Sequence, residues 1–92
     1  MKVTKLTDKS FYKDGYVFKV PKRTSKKKYD VYKDGIFLTS FGSNTNNQYR
    51  DKIGYYKNLD HLDKDKRKRF YDRFGKSPKF ESALWFSQRF LW

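Results

Sequence analysis

Two stretches of shared design, Tyr12-Lys13-Asp14-Gly15-Tyr16-Val17-Phe18 and Tyr32-Lys33-Asp34-Gly35-Ile36-Phe37-Leu38, each set an Asp-Gly pair between runs of β-forming residues. Asp-Gly supplies the positive φ angles that a two-residue hairpin turn requires, so each stretch reads as a β-hairpin. The match between them is short, and two hairpins using the same favourable turn account for it. A two-residue loop in the second hairpin pairs Lys33 with Ile36, Val31 with Leu38 and Tyr29 with Ser40. That register puts Tyr29, Val31, Ile36 and Leu38 on one face as core. Asp30, Tyr32, Phe37, Thr39 and Phe41 fall on the other, an aromatic but mixed face.

Outward from the hairpins, residues 1–10 are polar with scattered lysines and read as a strand or an extended arm. The hairpins span 11–41. Between them, residues 19–28 hold six basic residues in ten, with Pro21, Thr24 and Ser25 marking a loop. Small polar residues from Gly42 to Asn47 end the sheet. Residues 48–58 carry a weak signal, with Tyr49, Ile53, Tyr55 and Tyr56 as anchors. A helix is expected over 60–74, with Asp60 as N-cap, acidic residues early, basic residues late and Gly75 as the stop. Leu59, Leu62, Phe70 and Phe74 give it a narrow apolar stripe. A second helix is expected over 78–91, opened by Ser77-Pro78. It is apolar on most sides, which calls for cover beyond what one small domain readily supplies. The fold class is therefore α+β: a short antiparallel sheet of two hairpins followed by two helices, in one domain over 1–92.

Composition narrows the function. The chain of 92 residues carries 23 Lys+Arg against 10 Asp+Glu, a formal charge of +13. It has no cysteine and one histidine, so thiol chemistry, thiolate metal sites and multi-histidine zinc sites are excluded. Low hydrophobicity with high charge is a signature of disorder, yet 21% of the residues are aromatic. Large rings bury much area each and can build a small core. No apolar run approaches a membrane span. The opening MKVTKLTDKS has no apolar signal-peptide segment, so an unprocessed intracellular or virion protein is expected. Alanine and glutamate occur once each while Lys, Asp, Tyr and Phe abound, a bias toward AT-rich codons seen in many viral genomes.

Two basic clusters suit an anionic partner. One is Lys22, Arg23, Lys26, Lys27 and Lys28. The other is Lys64, Arg67, Lys68, Arg69 and Arg73. Tyr29, Tyr32, Phe37, Tyr55 and Tyr56 are of the type that stacks on single-stranded bases, although in a chain poor in aliphatics they are needed as core. His61, Asp63 and Asp65 read as helix-capping residues, because Asp63 faces away from the other two on a helix. No nucleophile–base pair stands out, so no enzymatic activity and no cofactor are expected. In the last segment, Phe80, Trp85, Phe86, Phe90, Leu91 and Trp92 are of the types found at interface hot spots, and they are candidate partner-docking residues.

From Tyr29 to Trp92, about two-thirds of the chain, the sequence resembles small basic proteins encoded by large DNA viruses: giant and algal viruses and some phages. The shared features are Phe41-Gly42, Tyr49-Arg50-Asp51-Lys52-Ile53, and His61, Asp63, Asp65, Lys66 and Arg69. Tyr71 and Arg73 follow, then Ser82-Ala83-Leu84-Trp85-Phe86-Ser87 and Leu91-Trp92. Where members of that group carry a histidine after the helix arginine, this chain has Phe74-Gly75, and any role of that histidine does not transfer. The resemblance implies viral origin and a virion component. The expected function is that of a minor or auxiliary capsid protein that clamps major capsid subunits or another virion protein. The alternative is sequence-nonspecific nucleic-acid binding in genome packaging. The expected location is the virion, and the host cell interior during assembly. Neither a membrane nor a small-molecule substrate is expected as a partner.

Overall fold

The structure is a computed structural model, and it describes residues 3–92. Five strands form one antiparallel sheet in the order β1-β2-β3-β4-β5: β1 Thr4–Thr7, β2 Ser10–Lys13, β3 Tyr16–Lys19, β4 Lys27–Lys33 and β5 Ile36–Ser43. Helices α1 (Lys64–Phe74) and α2 (Ala83–Phe90) follow. This is the α+β arrangement the sequence implies. Asp14-Gly15 and Asp34-Gly35 turn both hairpins with positive φ at all four residues. Within residues 1–10, Thr4–Thr7 is a strand rather than an arm, paired with β2.

The second hairpin departs from the expected register. Lys33 does pair with Ile36 and Tyr32 with Phe37, but a bulge then puts Val31 opposite Thr39 and Tyr29 opposite Phe41. Leu38 is the extra residue. Because side chains alternate with period two, one inserted residue moves Phe41 to the face of Tyr29. Tyr29, Val31 and Phe41 are fully buried together, while Ile36 at the hairpin tip is exposed.

Direct partners in an antiparallel pair share a face. Phe11, Phe18 and Val31 make one row of the covered face, and Tyr29 with Phe41 the next. Onto this face α2 lays Phe86 and Phe90. Phe90 meets Phe18 at 4.8 Å between ring centroids, and Phe86 meets Tyr16 at 5.0 Å and Phe41 at 5.7 Å. The core is thus built from rings meeting largely edge to face. The sheet covers α2 on one side. On another, the chain after β5 closes over its C-terminal end, where the Arg50 and Lys52 amides donate to the Leu91 and Phe90 carbonyls. One small domain therefore does supply the cover that the apolar helix needs.

That connecting chain is shaped by two carboxylates. Asp51 is buried and accepts from the amides of Ile53 and Tyr56 and from the Tyr29 hydroxyl at 2.6 Å. Asp60 accepts from the Asp51 amide and from Gln48 Nε2. Asp60 is therefore not the N-cap of α1. Leu62 takes a left-handed φ of 55°, which breaks any helix begun at residue 60, and Asp63 caps instead, accepting from the amides of Asp65 and Lys66. Likewise α2 begins at Ala83, not residue 78. Glu81 has φ 59°, and the Ser82 hydroxyl caps by accepting from the Trp85 amide.

Candidate functional site

The two helices enclose a groove of about 820 Å³ on the molecular surface. Its cations are Lys52, Lys64, Arg67, Lys68, Lys76 and Arg89, against one carboxylate, Asp72. The cations come from four places. Lys64, Arg67 and Lys68 lie on α1, where Asp65 in the first turn and Arg73 in the last suit the helix dipole and Lys64 at its start opposes it. Arg89 lies in the last turn of α2. Lys52 comes from the connecting chain pinned beneath it, and Lys76 from the turn after α1.

Several of these side chains are held in place. Arg67 donates through Nε to the Trp92 carbonyl oxygen at 2.6 Å and lies over the rings of Tyr49 and Tyr71. Arg89 lies over Trp85 at 5.2 Å and pairs with Asp14 at 3.7 Å. Lys52 donates to the Arg89 carbonyl oxygen at 3.1 Å. Tyr71 donates its hydroxyl to the Gln88 carbonyl, and Gln88 donates to the Gly75 carbonyl, tying α1 to α2. Partial burial lowers the Lys52 ammonium pKa, and Arg67, Arg50, Arg89 and Lys13 lower it further. A lysine surrounded by cations marks a region of positive potential that an anion would relieve.

On the opposite flank of α1, Lys66, Arg69 and Arg73 line a second groove with Phe70 and Trp92, whose rings stack at 4.4 Å and 7°. The whole second cluster expected from the sequence (Lys64, Arg67, Lys68, Arg69 and Arg73) is exposed on this one helix. The first cluster divides. Lys22, Arg23, Lys26 and Lys27 are exposed around the short 3₁₀ turn Arg23–Ser25, whereas Lys28 is buried. Lys28 Nζ donates to the Asn46 carbonyl, and burial lowers its pKa to about 8 despite Asp51 and Asp60 nearby. It is a structural residue and not part of an anion-binding surface.

The docking set divides in the same way. Phe86, Phe90 and Leu91 are core residues of this chain and are closed to a partner, because the sheet and the connecting chain already cover them. Phe80 is 65% exposed and meets Trp85 edge-on at 5.1 Å, and Trp85 and Trp92 are half-buried. Of the stacking candidates, Tyr29 is core. Tyr32 and Phe37 join Tyr12 and Val17 in one row across the open face of the sheet. His61 Nδ1 accepts from the Asp63 amide at 2.9 Å, and burial followed by Lys66 lowers its pKa. Its position is that of a helix-entry residue.

Sequence reasoning missed Lys52, Lys76 and Arg89. Each is an isolated cation outside the basic clusters, and only the packing of α1 beside α2 brings them together. Among the described residues, no helix is long and apolar enough to cross a membrane. No protein-family model matches the chain, and no curated protein or solved structure matches it.

Proposed function

We propose that the protein is a non-enzymatic, sequence-nonspecific nucleic-acid-binding protein, acting in packaging or organising a genome. The observation that carries this reading is the groove between the helices, where six cations face one carboxylate. Nucleic-acid phosphates present closely spaced anions to such a surface, and their neutralisation releases counterions. The fixed arginines favour binding further, because little freedom is lost on contact. Under this reading the aromatic C-terminal segment serves the core, and the anionic partner is met by charge.

A second reading, an auxiliary protein seated on an acidic surface of a major capsid protein, is favoured by one observation. Exposed Phe80 lies against Trp85 at the groove, an apolar anchor beside cations. Either role belongs in a virus particle, and in the host cell interior during its assembly.

Fluorescence anisotropy with a labelled oligonucleotide separates the two. With roughly six to ten phosphate contacts, affinity falls by about 10³–10⁵ between 50 and 200 mM salt. Absence of binding at the lower salt overturns the nucleic-acid reading. Co-sedimentation with particles at capsomer stoichiometry would then establish the clamp.

A further inference from the structure

Helix α1 has an unusual distribution of charge around its axis. None of its residues is buried. It rests on the body through one side: Phe70 stacks on Trp92, Tyr71 bonds to the Gln88 carbonyl and Arg67 to the Trp92 carbonyl. At 100° per residue, the ridge opposite that side holds Asp65, Arg69 and Asp72, with Asp72 paired to Lys68 at 3.4 Å. Cations lie to either side of the ridge. Lys64 and Lys68 face one groove, Lys66, Arg69 and Arg73 the other, and Asp72 lines both.

This order of charge selects among anionic partners. A flat acidic surface approaching α1 meets a ridge of mixed charge first, with Arg69 between Asp65 and Asp72. A surface with two parallel rows of anions and a channel between them meets the cations and spares the ridge. The major groove of B-form DNA is such a surface, about 12 Å wide between its phosphate rims. A helix with side chains is about 10–12 Å across, and eleven residues span about 16 Å. The groove floor also offers the cytosine N4 amino group, a donor that a carboxylate accepts. The deep, narrow major groove of A-form RNA admits no such helix. On the reading of the protein as a nucleic-acid binder, we infer that α1 enters the major groove of duplex DNA, with its two cationic flanks on the phosphates of opposite strands and the ridge of Asp65, Arg69 and Asp72 toward the bases.

The test uses the full chain at low salt with a DNA duplex of about 20 base pairs, two helical turns. The same sequence is offered as an RNA duplex, and as a DNA duplex whose cytosines carry a glucosylated hydroxymethyl group filling the major groove. The expected result is binding weaker by about tenfold or more for both altered duplexes. Netropsin, which occupies the minor groove, should not compete. Lys64→Gln with Lys68→Gln, and separately Arg69→Gln with Arg73→Gln, should each make the salt slope shallower by about 2. Asp65→Asn with Asp72→Asn should leave the slope unchanged. All these positions are exposed, and circular dichroism checks that each variant folds. Equal affinity for the three duplexes overturns insertion into the major groove and leaves polyanion binding standing. Absence of binding to any of them overturns both.

Discussion

Gly42 lies on β5 at φ 74°, where a Cβ would come within 3.0 Å of both Leu91 Cδ1 and Lys28 Cδ. An alanine there meets two penalties, left-handed backbone and overpacking. Gly42→Ala should destabilise the fold by about 2–4 kcal/mol, read from urea denaturation midpoints. A loss within experimental error would mean that Leu91 and Lys28 can move aside. Lys28 beside it gives a prediction with a sign. Its folded pKa of about 8 lies below the ordinary value of 10.5, because burial disfavours the charge. Between these values the unfolded chain binds more protons, so stability rises with pH across that window. Burial holds the hydroxyls of Tyr16 and Tyr29 above their ordinary range, with Glu81 and Asp51 adding to it, so they remove stability as pH passes 10. The gain is therefore cleanest from about pH 8 to 10, where it should reach roughly 2–3 kcal/mol. Lys28→Met should flatten that rise, and an unchanged slope in the variant would assign the effect to other groups.

At the scale of elements, the parts legible in the sequence are those set by neighbours along the chain. Asp14-Gly15 and Asp34-Gly35 specify their turns through backbone geometry, and both hairpins form where these pairs stand. The bulge at Leu38 has no such local signal, since it forms because burying Phe41 beside Tyr29 outweighs continuous pairing. Both helices start several residues after their local sequence signals for a related reason. Asp60 and Ser77-Pro78 are good local caps, but Asp60 is drawn into the Asp51–Gln48 network and Glu81 into bonds with Tyr16 and Lys33. Tertiary partners therefore moved the caps to Asp63 and Ser82. The candidate site follows the same division. The cations of α1 are readable as a run, whereas Lys52 and Arg89 join them only through the closure of residues 50–53 over α2. Ser82 offers a direct check. Ser82→Ala removes the acceptor for the Trp85 amide and should lower stability by about 1 kcal/mol, measured by thermal unfolding. A Ser82→Asp variant, which restores an acceptor, should recover it.

For the whole molecule, a charge of +13 is held within 35 × 30 × 28 Å. The screening length is about 30 Å at 10 mM salt and about 10 Å at 100 mM. At the lower salt every cation repels cations across the whole molecule, and at the higher only its neighbours. The free protein should therefore melt at higher temperature as salt rises over this range. A bound polyanion reverses the sign, because it neutralises the same charges and salt weakens its hold. At 100 times Kd a ligand adds about 2.7 kcal/mol of stability. For a domain of this size that corresponds to about 10–20 °C in Tm. Two melting series, with and without a DNA duplex, should start far apart at low salt and converge as salt rises, one falling and the other climbing. If the duplex leaves Tm unchanged at 10 mM salt while salt alone raises it, the excess charge is a repulsive load on the fold with no nucleic-acid partner to relieve it. If neither responds, the cations are far enough apart to be screened by water alone, and the positive region around Lys52 has no energetic consequence for folding.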